Sequence, residues 1–380
     1  MTTVEDERFV TVGIKNDEDE VIDEYDVNLS QVMRPIDGNP AGKHLLSVHQ
    51  LNREDIMDYI HEAKAAEAII RNPKRRGISI LPFVVLSAVM RQESTRTAGT
   101  MATAMEKLGG HAHMFTGMKA SSEGKGESIP DSWVAMATQS DIIGTRTKEA
   151  WHPALAAQSI DEAFEREQLW SRVPVINLGD EKNEHPTQLL GDVYLISKYI
   201  EKYNMGFEDI TLGIVGAHGE YRAHHSKLIG AKILGMNVIV VESEASPVPD
   251  EIVDFMGEDS LTRVGADDLD EILPELDVLD MGRRPDEYTK KKNPDPEEKA
   301  RRDHLIADYE KWIIDYERLQ KMKTTAIEMH PRPRTIEVHP SVDKDPRSQE
   351  IDQMAGMVPM RMAILARHMG HSIANSAARV

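Results

Sequence analysis

From Leu45 onward, short apolar runs at strand spacing alternate with longer stretches whose apolar positions recur at helical spacing. Ile56, Tyr59, Ile60 and Ala63 mark a first helix, with Asn52 placed as its N-cap. Strands are predicted at 81–86, 111–115, 141–144 and 173–178, with a helix over 98–108 between the first two. A helix over 187–203 bridges to a second series, with strands at 211–215, 237–241, 277–280 and 326–329. A last helix over 349–369 repeats Met354, Met357, Val358, Arg361, Met362 and Leu365. Such alternation predicts an α/β fold class: two doubly wound parallel-sheet domains joined by a helix. One domain takes in 43–186 plus 349–380 and the other 187–348, with the cleft between them as the expected ligand site. Met101, Met105, Met114 and Met118 fall at packing intervals and are expected in the core.

Two segments break the pattern. Residues 1–42 form an acidic N-terminal extension, with ten acids against two bases in the first thirty residues, and are expected to be partly disordered or laid over a surface. The stretch 285–323 is dense in charge and reads as a mobile insertion or a surface helix.

Composition narrows the function. The chain has 380 residues, a net charge of −20 and no cysteine. A disulfide scaffold, a thiol nucleophile, an iron–sulfur cluster and a Cys-based zinc site are therefore excluded. The longest apolar runs, such as 80–90, fall short of the roughly 20 residues needed to span a bilayer, and the N-terminus has no signal-peptide pattern. The expectation is a soluble, cytoplasmic protein with no membrane partner. Net acidity also argues against a nucleic-acid partner, since phosphates are repelled on average. A small anionic substrate needs only a local concentration of cations.

Three motifs supply such cations or direct hydrogen-bonding groups at a carbonyl. Ser94-Thr95-Arg96-Thr97 opens the helix after the first strand. Hydroxyls, a guanidinium and the open N–H groups of a first helical turn converge there on an anion. His185-Pro186-Thr187-Gln188 stands at the domain junction, where Pro186 favours a first turn and leaves His185 outside it, able to donate to a carbonyl oxygen. His330-Pro331-Arg332-Pro333-Arg334 follows a strand, and its two prolines stiffen a loop that presents backbone carbonyls. Each has a plainer reading, as a capping segment, a structural histidine or a rigid turn.

Taken together and in this order, the motifs resemble the aspartate/ornithine carbamoyltransferase family, and within it the aspartate branch. The likeness extends to the loop Ser121-Ser122-Glu123-Gly124-Lys125-Gly126-Glu127, to Arg146 after a strand, to Arg222 and Arg283, and to the segments 342–347 and 353–365. It spans about Leu45 to Met369. The resemblance implies an enzyme that transfers the carbamoyl group of carbamoyl phosphate to an amino acid, L-aspartate in this branch, as in pyrimidine biosynthesis. Ser94, Thr95, Arg96 and Thr97 would hold the phosphate, and Thr97, Arg146 and His185 would surround the carbonyl oxygen. Gln188 and the carbonyls of Pro331 and Arg332 would receive the carbamoyl nitrogen. Ser121 and Lys125 would reach the phosphate from an adjacent subunit, making the protein a homotrimer with shared sites. Arg222 and Arg283, with Lys125, Arg284 and Arg332 nearby, would bind the acceptor. No cofactor and no metal is implied.

The same comparison shows three departures. Arg283-Arg284-Pro285 stands where the aspartate branch has Arg-x-Gln, Arg332 replaces a leucine, and Ala223 replaces a threonine after Arg222. They open the alternative of another acidic or modified amino-acid acceptor. Two readings from other classes compete: a nucleotide-binding oxidoreductase, from the glycines at 213, 216 and 219 after a strand, and a non-catalytic family member. The first lacks G-x-G-x-x-G spacing. His218, His224 and His225, and likewise His111 and His113, lack the spacing of a metal site.

Overall fold

The computed structural model describes residues 8–16, 20–116, 126–257, 260–285 and 295–378. The chain divides into one unit of Met1–Gly191 with Met357–Val380 and a second of Asp192–Gly356.

The first unit begins with β1 (Phe9–Lys15) and β2 (Val21–Asn28), an antiparallel hairpin that runs into the one-turn α1 (Leu29–Val32). α2 (Arg53–Arg71) starts at Asn52, whose side chain accepts from the Asp55 N–H while Asp55 accepts from the Asn52 N–H. This reciprocal cap satisfies two orphan donors. Then come β3 (Val85–Met90), α3 (Thr95–Lys107), β4 (His111–Thr116), α4 (Ile129–Ala137), β5 (Ile142–Thr147), α5 (His152–Glu165) and β6 (Val175–Asp180). The four strands β3 to β6 form a parallel sheet in the order β4-β3-β5-β6. All of β6 and nearly all of β5 are buried, as expected of a parallel sheet covered on both faces. α6 (Pro186–Tyr203) follows.

The second unit carries β7 (Thr211–Gly216), α7 (Arg222–Leu234), β8 (Asn237–Glu242), α8 (Asp250–Met256), β9 (Leu261–Val264), α9 (Leu269–Ile272) and β10 (Val278–Met281). α10 (Pro296–Lys311), α11 (Tyr316–Leu319), β11 (Ile327–Met329), α12 (Glu350–His368) and α13 (Ile373–Ala377) complete the chain, with α12 from Met357 onward and α13 belonging to the first unit. The five strands of the second unit are parallel in the order β11-β10-β7-β8-β9. Val215, Val241, Leu279 and Met281 of the sheet pack against Leu305, Tyr309 and Trp312.

Two expectations need correction and two hold. The strand expected at 81–86 is Val85–Met90. Pro82 has no N–H to give a ladder and Phe83 sits in the left-handed region at φ 69°, so pairing cannot begin before them. The acidic extension is laid over the first unit, one of the two expectations for it: over 8–16 and from residue 20 onward, Val12, Ile14, Val27, Leu29 and Val32 enter one core with Leu155 and Ile160 of α5. Within the charged stretch, α10 is the expected surface helix, mostly exposed with Leu305 and Tyr309 buried on its inner face; residues 286–294 lie outside the described residues. Met101 and Met105 are buried as expected, whereas Met114 is exposed on the edge strand β4, and Met118 lies outside the described residues.

Candidate active site

In the first sheet, the chain leaves β3 for β4 on one side and returns as β5 on the other, so the strand order reverses between β3 and β5. Ligands of doubly wound sheets bind beyond the carboxyl ends of the strands at such a switch point. Ser94-Thr95-Arg96-Thr97 follows the carboxyl end of β3, and Arg146 stands near that of β5, opposite Met90. Ser94 caps α3: its hydroxyl accepts from the Thr97 N–H at 3.4 Å and donates to Thr97 Oγ1 at 3.0 Å. Thr95 and Arg96 are exposed on that first turn, whereas Thr97 is buried. The buried Arg361 donates to the Thr97 carbonyl at 3.0 Å from α12, and burial lowers its pKa to about 10. A guanidinium beneath the turn adds positive charge to the helix dipole already there. Arg146 Nη1 reaches the Leu178 carbonyl on β6 at 3.4 Å.

His185 lies beyond β6, buried, directly before Pro186 at the start of α6. Its carbonyl accepts from Gln188 N–H at 2.9 Å and Leu189 N–H at 3.2 Å, and Nδ1 lies 3.4 Å from Thr187 Oγ1. The loop that delivers it is fastened by two acids the motif reading missed. Asp180 Oδ1 accepts from Asn177 Nδ2 at 2.8 Å and Glu184 N–H at 3.1 Å. Its Oδ2 accepts from Trp151 N–H at 2.8 Å and Asn183 Nδ2 at 2.9 Å. Burial outweighs these donors and pushes the Asp180 carboxyl up to about 6. Glu184 accepts from Val48 N–H at 2.9 Å and from the Ser47 hydroxyl in a short contact.

In the second sheet the order reverses between β7 and β10. Arg222 opens α7 after β7, and Arg283 and Arg284 follow β10; all three are half-buried. The Tyr309 hydroxyl joins the two loops, accepting from Ala217 N–H at 3.1 Å and donating to the Arg283 carbonyl at 3.1 Å. Gly282 permits this closeness, since a Cβ there would stand 2.4 Å from His224 and 3.0 Å from the Val215 carbonyl. His330, buried after β11, accepts at Nδ1 from Arg332 N–H at 2.8 Å and donates through Nε2 to Glu337 at 2.9 Å. Burial would raise the Glu337 carboxyl, but the bonds from His330 and Thr335 bring it down to about 2. Arg334 forms two bonds to Asp343, at 2.6 and 2.7 Å. The Arg332 guanidinium is engaged too, 2.5 Å from Glu350 and 3.9 Å from Asp343.

The first unit thus brings Ser94, Thr95, Arg96, Thr97, Arg146, His185 and Gln188 to the ends of β3, β5 and β6. The second brings Arg222, Arg283, Arg284, Pro331 and Arg332 to those of β7, β10 and β11. Ser121 and Lys125 lie outside the described residues. His218, His224 and His225 are buried and hydrogen-bonded, and among the described residues no group of three or more such ligands is placed to hold a metal.

A hydroxyl-rich helix start with Arg96 at one switch point and arginines at another mark a two-domain α/β protein with cations at the carboxyl ends of both parallel sheets. The chain belongs to the aspartate/ornithine carbamoyltransferase family: residues 43–198 match its carbamoyl-P binding domain and residues 208–368 its Asp/Orn binding domain. It is 33% identical over 327 residues to the aspartate carbamoyltransferase catalytic subunit of Archaeoglobus fulgidus, covering 86% of this chain and 99% of that one. The corresponding subunit of Methanocaldococcus jannaschii is 30% identical over 332 residues, covering 86% and 97%. Among solved structures, aspartate transcarbamoylase from Trypanosoma cruzi in complex with carbamoyl phosphate aligns with a TM-score of 0.75 at 26% identity, covering 88% of this chain and 98% of that one. Family membership sets aside the oxidoreductase reading.

Proposed function

We propose that this protein transfers the carbamoyl group of carbamoyl phosphate to the amino group of L-aspartate, giving N-carbamoyl-L-aspartate and phosphate, a step of pyrimidine biosynthesis. The observation that carries the reading is the placement of Ser94–Thr97 and Arg146 at the first sheet's switch point. Carbamoyl phosphate enters with its phosphate on the α3 turn, held by Ser94, Thr95, Arg96 and Thr97. Thr97, Arg146 and His185 stabilise the carbonyl oxygen as the amine lone pair attacks the carbon. Gln188 and the carbonyls of Pro331 and Arg332 take the carbamoyl nitrogen. The carbon–oxygen bond to phosphate then breaks, its electron pair leaving with phosphate, and the amine's proton passes to the departing phosphate. Phosphate leaves readily, so positioning and charge suffice without a covalent enzyme intermediate.

Arg222, Arg283 and Arg284 bind the acceptor's carboxylates in this reading. Pairing of Arg332 with Glu350 and Asp343 compensates that side chain's charge, which favours a role for its backbone carbonyl. Ser121 and Lys125 are assigned to a neighbouring subunit's site, and the assembly to a cytoplasmic homotrimer. Among the described residues no helix is long and apolar enough to cross a membrane.

The test is phosphate release from carbamoyl phosphate across a panel of acceptors: aspartate, ornithine, glutamate and N-acylated amino acids. Aspartate should give the highest kcat/KM. Arg96→Ala should abolish saturation by carbamoyl phosphate, while Arg283→Ala should chiefly raise the aspartate KM. Turnover with another panel member and none with aspartate would reassign the acceptor, and no turnover with any would overturn the proposal.

A further inference from the structure

The second unit buries a charge cluster to which carbamoyl transfer gives no part. Lys227 of α7 is 3% exposed, and its ammonium lies 3.0 Å from Asp192 of α6 and in a short contact with Asp280 of β10. Both carboxylates are buried as completely. Gln353 of α12 extends the cluster: Nε2 donates to Asp192 Oδ1 at 2.7 Å, and Oε1 accepts from the His330 backbone N–H at 3.0 Å. Burial alone would lower the Lys227 pKa, but the two carboxylates outweigh it and hold the ammonium above the ordinary lysine value. For Asp192 burial dominates and raises the carboxyl despite the lysine.

Apolar side chains of the same volume would stabilise such a place at least as well, so stability does not account for three buried charges. Their connections do. Lys227 stands five residues after Arg222 on one helix, and Asp280 lies on β10, three residues before Arg283 in the loop that follows it. Gln353 bonds the peptide N–H that opens His330-Pro331-Arg332. One ammonium, with its two carboxylates and one amide, therefore ties together the three segments that carry the acceptor-side groups. Unlike apolar packing, these bonds have fixed lengths and directions.

We propose that Lys227 is a positioning residue that sets the mutual spacing of Arg222, Arg283 and the Pro331–Arg332 carbonyls, and thereby the grip on a dicarboxylate acceptor. The inference rests on the carbamoyltransferase reading above.

The test uses the full chain and two variants that limit stranded charge. Lys227→Met with Asp280→Asn removes the tie while leaving one carboxylate, and Gln353→Leu cuts only the link to His330. The double variant should raise the aspartate KM about tenfold and Gln353→Leu about threefold, with the carbamoyl phosphate KM within about twofold of wild type in both. Lys227→Arg, which keeps the charge, should recover part of the loss. A purely structural role would lower kcat per chain through a smaller active fraction and leave both KM values unchanged. Wild-type aspartate KM in either folded variant, or a double variant and Gln353→Leu that both fail to fold, would overturn the proposal in favour of that structural role. Absence of aspartate turnover in the wild type would instead strike the functional reading, so the two failures are separable.

Discussion

The Asp180 carboxylate accepts four N–H groups while fully buried, and the two conditions pull its acidity in opposite directions. Burial wins, and the folded value of about 6 lies above the ordinary 3.8. Between about pH 4 and 6 the unfolded chain has released this proton and the folded chain retains it. Asp180 therefore lowers stability as pH rises through that window, by about 3 kcal/mol in total, and adds nothing further above it. Asp180→Asn lacks the titration. Urea unfolding at pH 4 and pH 7 should show wild-type stability falling relative to the variant by about 2.4 kcal/mol, and parallel pH profiles would contradict it. Residues that bear motifs, such as Arg96, Arg146 and His185, were legible in the sequence because their neighbours announce them. Asp180, Glu184 and Lys227 were not, since a charged residue destined for burial is written like one destined for solvent and only its partners, distant in sequence, distinguish it.

At the level of elements, the N-terminal hairpin gives the surface-laid extension a definite form. Val10, Val12 and Ile14 do alternate with Thr11 and Gly13, a strand signal outweighed by the acids around it. The acids of β2 are exposed, while Val27 and the following Leu29 and Val32 are buried against the first unit. Leu29→Ala should therefore cost about 3 kcal/mol of stability, whereas Phe9→Ser, at a position 57% exposed, should change it by less than about 0.5 kcal/mol, both read by denaturant unfolding. Equal effects would mean that the hairpin does not pack as described. The strand β3 shows how an unbroken apolar run misleads: 80–90 fixes that a strand exists without fixing where it starts. The turn chemistry of Pro82 and Phe83 decides that, four residues further on.

Across the whole molecule, an acidic chain is fitted to anionic substrates by topology. Each parallel sheet reverses its strand order once, and the cations collect at the carboxyl ends beside those reversals. The net charge of −20 is distributed elsewhere, with ten acids and two bases in the first thirty residues. Two α/β halves were legible from periodicity alone, because parallel strands and their crossover helices must alternate. Assignment of the chemistry needed the ordered motifs, since periodicity does not tell one doubly wound sheet from another. Carbamoyl transfer to aspartate is tested most directly by carbon-13 NMR of the purified full-length protein with carbon-13-labelled carbamoyl phosphate and L-aspartate. N-carbamoyl-L-aspartate should accumulate one-for-one with phosphate, in proportion to enzyme concentration. Phosphate release that is the same with and without aspartate, and no carbamoyl-aspartate resonance, would contradict it.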